Sequence, residues 1–262
     1  MTSGFQNLSI VLITLNEENN IRRLLASLPE AAEIIIVDSK SIDDTREIAS
    51  TFGAKVFTRP FDDYASQRNY ALQHSTRPWI LSLDADESLS GELLGEIEKI
   101  TSVLPCKDRV IGYQITRKLV FMGRVLRFGR TVDAPLRLFP RESGNWQGAV
   151  HEKFRFFSNI SGKVKKAEKG FLFHYSYSDL SDYFVRFNRY TSAVASANKA
   201  RGRKEIFLIH LLRPWGEFIY RYFLRLGFLD GYPGYTYALI SSLYAYVKYA
   251  KFYELEESGK KN

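Results

Sequence analysis

Ile80-Leu81-Ser82-Leu83-Asp84-Ala85-Asp86-Glu87 decides how this chain is read. With Trp79 in front, it is an apolar run of strand length that stops on acid. Asp84 and Asp86 sit two apart at its end. In extended chain, residues i and i+2 point to one side. Two carboxylates facing the same way repel each other unless a cation lies between them. Mg2+ commonly takes one or two carboxylates and completes its shell with substrate phosphates. The stretch therefore predicts a metal–diphosphate clamp at a strand end. The blander alternative is a polar strand end with Asp84 capping the next helix.

The surrounding sequence favours the clamp. Upstream, Leu8–Thr14 is an apolar strand run, followed by Ile21, Leu24, Leu25 and Leu28 at helical spacing and a stop at Pro29. Glu33–Asp38 is a second strand that ends in acid. A polar turn, Ser39–Asp44, then opens a helix that Gly53 closes, and Ala54–Phe57 is a third strand. Asp62–His74 reads as a helix, Trp79–Leu83 as the fourth strand and Gly91–Thr101 as another helix. Apolar strands alternating with helices argue for an α/β fold, with a parallel sheet covered on both faces. Ligands in such sheets bind at the carboxyl ends of the strands. Three polar strand ends fall there: Thr14–Asn16, Asp38 and Asp84/Asp86. Neither a Walker loop nor a Gly-x-Gly-x-x-Gly fingerprint is present, so a phosphate site needs the acidic pair.

Composition limits the alternatives. The 262 residues are enough for one α/β domain or a domain with an appendage. The formal charge of +8 favours anionic partners. The basic residues interleave with apolar ones in the tail and form no motif that reads RNA or DNA, which argues against a nucleic-acid partner. A single cysteine, Cys106, excludes an internal disulfide and a Cys-rich metal site. Met1–Asn7 is polar and lacks a basic-then-apolar leader, which together with the cysteine count suits a cytoplasmic setting.

From Val110 the pattern loosens. Tyr113–Phe121, Leu136–Phe139 and Gly170–His174 read as strands of a mixed extension. Tyr183, Phe187, Tyr190, Val194 and Ala197 share a helical face. Beyond Lys199, arginines and lysines interleave with Phe, Leu, Trp and Tyr. Tyr232 to Val247 carries no charge but is short for a comfortable bilayer span. Such a tail suits helices lying in a membrane interface; the alternative is an amphipathic pair packed on the core. The expected organisation is a catalytic domain over 1–200 and a helical, membrane-surface appendage over 201–262.

Four motifs in order now point to a family. They are Thr14-Leu15-Asn16-Glu17-Glu18-x-Asn20-Ile21, Ile36-Val37-Asp38-Ser39-x-Ser41-x-Asp43-x-Thr45, Gln67-Arg68-Asn69 and Asp84-Ala85-Asp86-Glu87. Over roughly residues 8–155 this series resembles the family 2 glycosyltransferases of the GT-A fold. Val150-His151-Glu152 and Leu226-Gly227-Phe228-Leu229-Asp230-Gly231 look closest to the bacterial lipopolysaccharide core heptose β-1,4-glucosyltransferases.

The resemblance implies a UDP-sugar donor, Mg2+ or Mn2+ as cofactor, and inversion in a single displacement. By analogy, Thr14, Leu15, Asn16 and Glu17 would line the base and ribose, and Asp38 would accept from the uracil imide. Arg68 would lie near the base or diphosphate, its alternative being a helix-surface ion pair. In Asp84-Ala85-Asp86, Asp84 would hold the ribose or support the metal and Asp86 would ligate it. Glu17 and Glu18 read equally well as acids of a first helical turn. Glu152 is the expected base and His151 the metal or diphosphate partner, with the reverse assignment open. The bland reading of Glu152 is a salt bridge to Arg137 or Arg141. Trp146 could stack on a sugar face or simply lie in the core.

The acceptor expected on this resemblance is a lipopolysaccharide core or another lipid-linked saccharide at the inner membrane. Alternatives are a polyprenyl-phosphate glycosyltransferase, whose acceptor is already an anion and needs no base, and a GT-A scaffold without activity.

Overall fold

Runs of Ile, Leu and Val build the sheet that positions everything else. The computed structural model describes residues 4–106, 110–148, 152–202 and 207–260. The chain forms two compact units, Met1–Arg117 with Asp133–His174 and Lys118–Val132 with Tyr175–Asn262. The boundary expected at residue 200 falls at the end of a helix of the second unit.

Unit one runs, in chain order, through β1 (Leu8–Thr14), α1 (Glu18–Ala26), β2 (Glu33–Asp38), α2 (Thr45–Thr51), β3 (Lys55–Thr58), α3 (Tyr64–His74), β4 (Trp79–Asp84), β5 (Glu87–Leu89), α4 (Gly91–Thr101) and β6 (Val110–Gln114). The chain leaves this unit along β7 (Arg117–Phe121), turns into β8 (Arg124–Val125) and returns along β9 (Val132–Asp133). It then adds β10 (Leu136–Pro140), β11 (Gly144–Gln147), β12 (Lys153–Phe156), β13 (Lys163–Lys166) and β14 (Leu172–His174).

Seven strands form one sheet in the order β13-β6-β10-β4-β1-β2-β3. The β4-β1-β2-β3 half is parallel throughout. β10 runs antiparallel to both β4 and β6, so the sheet is mixed on one side, as the looser pattern after Val110 foreshadows. The register pairs Ile13 with Asp84 and Thr14 with Asp38, which brings the three polar strand ends to one edge. β1 is buried on both faces, with Leu8, Ile10 and Leu12 in one cluster and Val11 in the other. Helices cover both faces, which is why these strands read as continuous apolar runs. The sequence reading of Tyr113–Phe121 as a single strand is corrected: β6 ends at Gln114, β7 starts at Arg117, and the break lies at the unit boundary.

The caps are local. Asp63 accepts from Ser66 N at 2.8 Å and starts α3, and Ser90 accepts from Leu93 N and starts α4. Ser90, and not Asp84, therefore caps the helix after β4. β14 pairs antiparallel with β5, setting His174 opposite Glu87. Gly170, just before it, has φ +71°, and a Cβ there would lie 2.2 Å from Leu93 N. Only glycine meets both conditions.

At the far end of β2, Glu33 clamps three segments. Its carboxylate accepts from Ser9 Oγ (2.6 Å), Thr76 N (2.8 Å) and Lys55 Nζ (2.8 Å). Burial alone would raise its pKa; Lys55, Ser9 and Thr76 outweigh burial and bring it down to about 2. A depressed carboxylate stabilises the fold above its unfolded pKa, and that contribution fades as pH falls through the folded value. Glu33 should therefore add on the order of 2 kcal/mol at neutral pH, lost between about pH 4.5 and 2. Chemical denaturation across that window should show the slope in wild type and lose most of it in Glu33→Gln.

Unit two contains α5 (Leu180–Ala200), α6 (Phe207–Ile219) and α7 (Gly231–Lys260), with a π turn at Tyr220–Leu224 and a 3-10 turn at Gly227–Asp230 before α7. Pro214 lies inside α6. A core of Leu119, Phe121, Leu126, Tyr183 and Ile240 joins β7 and the residue after β8 to α5 and α7. Among the described residues no helix is long and apolar enough to cross a membrane.

Candidate active site

The candidate site is the carboxyl edge of β1, β2 and β4. Two loops there are laced side chain to backbone. Asn16, with φ +55°, donates its N–H to Ser41 Oγ (2.8 Å) and accepts from Ile42 N at Oδ1 (2.9 Å). Glu17 N donates to Thr45 Oγ1 and Glu18 N to Asp43 Oδ2. Glu18 lies in the first turn of α1, and its side chain accepts from Asp44 N (3.3 Å). The Thr14–Asn16 corner is thus built by the second motif, and Leu15 stands half exposed on it.

Asp38 is completely buried beneath this corner. It accepts from Thr14 Oγ1 (2.9 Å) and Ser41 Oγ (2.5 Å) at Oδ2, and from Ser41 N (2.8 Å) at Oδ1. Arg46 Nε lies 3.8 Å from Oδ1. In this arrangement Asp38 fixes the 38–45 turn, and a base imide would reach it only by displacing one of those donors.

The third motif does three jobs. Gln67 ties down the preceding loop through Pro60 O (2.7 Å). Asn69 pairs with the backbone of Trp146 in both directions, at 2.8 and 2.9 Å, and so anchors β11. Arg68 sits on the buried face of α3, 6% exposed, and not on the helix surface. Its guanidinium donates to Asp84 Oδ1 (2.5 Å), Ser82 Oγ (3.1 Å) and Glu152 Oε1 (3.2 Å), and lies over the Trp146 ring at 4.8 Å. Trp146 is buried among Phe139 and Phe154, as core. The partner of Glu152 is therefore Arg68 and neither Arg137 nor Arg141. One guanidinium joins the strand-end acid to the expected base.

Asp84 and Asp86 have separate partners. Asp84 also binds Arg137 at Oδ2, with Arg117 Nη1 3.5 Å away. Burial would raise the Asp84 pKa, but Arg137 and Arg68 hold it well below the usual carboxylate range. Glu87, fully buried, takes Arg137 (2.5 Å) and Arg117 (3.0 Å), and burial pushes its pKa up. Arg117 continues to Asp133. The cation expected beside the acid pair is, at Asp84, a pair of arginines, Arg68 and Arg137. Ala85 is buried between the two acids in sequence. Asp86 instead faces His174, with Oδ2 3.3 Å from Nε2 and each side chain about a fifth exposed. His151 lies outside the described residues.

Arg117 and His174 escaped the sequence reading, in which Glu87 enters only as the end of the fourth motif and Arg137 only as an alternative partner of Glu152. Arg117, Arg137 and Glu87 belong to the Asp84 network, and His174 to Asp86. The signal for Arg137 was a charge inside the apolar run Leu136–Phe139. For His174 it was a polar residue ending an apolar strand, as Asp84 does. Among the described residues no group of three or more His, Cys, Asp or Glu side chains gathers as a metal cage. Asp86 and His174 are a two-donor set, which suits a divalent ion that draws its other ligands from phosphates and water.

Residues 9–102 match glycosyl transferase family 2. A glycosyltransferase of Rickettsia typhi, itself described as uncharacterized, is 30% identical over 95% of this chain and 88% of its own length. The chain belongs to glycosyl transferase family 2. This family 2 glycosyltransferase is also 27% identical to the lipopolysaccharide core biosynthesis glycosyltransferase LpsC of Rhizobium meliloti, over 94% of this chain and 92% of that one. Its fold is similar to that of a mannosyltransferase of Pyrobaculum calidifontis solved with GDP-Man and Mn2+, with TM-score 0.52, 15% identity, and coverage of 94% and 86%. The α/β sheet is thus the GT-A fold, and the strand edge described above is the candidate active site of a transferase.

Proposed function

We propose that this enzyme moves a sugar, with glucose the first choice, from a UDP-sugar to a lipopolysaccharide-core or other lipid-linked acceptor. The transfer inverts the anomeric centre and takes place at the cytoplasmic face of the inner membrane. Likeness to LpsC supports the acceptor class. The observation that carries the catalytic reading is the Arg68 guanidinium, which holds Asp84 and Glu152 within one hydrogen-bond network.

In this reading the Thr14–Glu17 corner, set by Asp38 and Ser41, receives the nucleoside. Asp84, held by Arg68 and Arg137, marks the ribose side of the diphosphate. Mg2+ or Mn2+ held by Asp86, with His174 beside it, would neutralise charge developing on the departing UDP. Glu152 takes the proton of the acceptor hydroxyl as its oxygen bonds to the anomeric carbon and the bond to UDP breaks. His151, one residue earlier, is the second candidate for that base or for the metal. Arg68 keeps Glu152 oriented toward the donor.

Two measurements test this. UDP titrated into the protein should bind with Mn2+ and much more weakly without it; metal-independent UDP binding would remove the clamp. Glu152→Gln should keep UDP binding and lose roughly 100- to 10,000-fold in transfer, the range for a general base. Full activity of Glu152→Gln on a polyprenyl phosphate would replace the acceptor with that anion, which needs no base.

A further inference from the structure

Unit two brings together two segments nearly a hundred residues apart. Asp230 is buried, and its carboxylate accepts from the backbone N–H groups of Arg127 (3.0 Å) and Phe128 (2.9 Å). Gly129 N donates to Arg225 O (2.9 Å), and Arg221 Nη1 donates to Gly129 O (3.0 Å). Within the turn, a Cβ on Gly234 would lie 2.1 Å from Gly227 O, so the chain closes tightly on itself. The glycines and the aspartate of Leu226–Gly234 thus serve to lock a knuckle against the 124–130 loop.

What the knuckle displays is unusual for a water-facing surface. Phe223, Leu224, Leu226, Phe228 and Leu229 are all exposed, Leu224 at 70%. Leu226 adopts φ +56° and still leaves its side chain 43% exposed. A left-handed leucine costs backbone energy, and this one leaves a large part of its side chain in solvent. Around these residues Arg124, Arg127, Arg130 and Arg225 are exposed. The nearby acids are engaged internally: Asp230 as above, and Glu217 with Arg221 at 2.6 Å. The knuckle lies within the 201–262 tail that the sequence marks as a membrane surface; of the uncharged Tyr232–Val247 stretch, α7 buries Ala238, Ile240, Ser242 and Ala245.

We infer that this arginine-ringed apolar knuckle is the docking surface for an anionic phospholipid bilayer. The apolar tips enter the headgroup–acyl boundary while the arginines meet lipid phosphates. Charge complementarity favours this occupant, because the face offers cations and apolar area with no exposed acid among its described residues. The inference deepens the membrane part of the proposed function and is independent of donor and acceptor.

The test is flotation of the full chain with phosphatidylglycerol–phosphatidylcholine vesicles against phosphatidylcholine alone, with UDP titration and oligomeric state measured in parallel. Wild type should float with the anionic vesicles. Each arginine removed should weaken binding roughly fivefold, so Arg124→Gln/Arg127→Gln/Arg130→Gln should lose roughly a hundredfold. Leu224→Ser/Phe228→Ser should lose binding even at low salt, and both variants should keep UDP binding, which reports a folded enzyme. No preference of wild type for anionic vesicles, or variants that float like wild type, overturns the inference. A wild-type dimer that Leu224→Ser/Phe228→Ser converts to monomer also overturns it, in favour of a second copy. Loss of UDP binding in wild type would instead count against the proposed function and leave the docking surface standing.

Discussion

Asp86→Ala should abolish metal-dependent transfer, by roughly a thousandfold or more, while the protein stays folded. The magnitude follows from the several kcal/mol that a bound cation supplies to a departing diphosphate. The expectation of an intact fold follows from the structure. Asp86 is partly exposed and its recorded ionic partner is His174, at 3.3 Å. It is not one of the acids wired to the buried arginines. The variant should also lose the Mn2+ dependence of UDP binding, which separates a ligand role from a purely structural one. Normal turnover in Asp86→Ala with metal chelated would remove the acid from the mechanism.

Arg137→Met should have the largest effect on stability. Arg137 is almost fully buried and is the shared partner of Asp84 and Glu87. Removing one member of a buried ion pair leaves an uncompensated charge and costs about 3–5 kcal/mol. For a protein of this size that lowers Tm by on the order of 10 °C. Glu87 is the acid stranded most deeply, so adding Glu87→Gln to Arg137→Met should recover part of the loss. If thermal melts show Arg137→Met within a degree or two of wild type, the network is not structural. Arg137 would then be better read as a group held for the donor.

The parallel half of the sheet was legible because β1, β2 and β4 are largely buried, so burial wrote itself into the sequence as unbroken apolar runs. Asp63 and Ser90 wrote the helix starts in the same way. The edge where Thr14, Asp38 and Asp84 meet was legible from strand ends alone. The charge network was not. Arg68 is expected near the donor only by resemblance, and its partners appear only once the fold turns that face of α3 toward β4. Arg137 reaches the acids from β10, whose antiparallel pairing with β4 is non-local, and Arg117 from the start of β7, 30 positions from Glu87; periodicity carries no information about such partners. The Asp230 clamp was hidden for the same reason: its partners are backbone amides of Arg127 and Phe128, which any side chains could have supplied.

The excursion of the chain at Lys118–Val132 has a consequence for synthesis. This segment belongs to the unit whose remaining residues begin at Tyr175, about 40 positions later. At roughly 5–20 residues per second, β7, β8 and the 124–130 loop wait some seconds outside the ribosome before α5 appears. The wait until Asp230 can take up their amides is longer still. A nascent chain holding two short strands without their helices is a natural client for a chaperone. Separating the tail as an independent gene product would leave that segment behind.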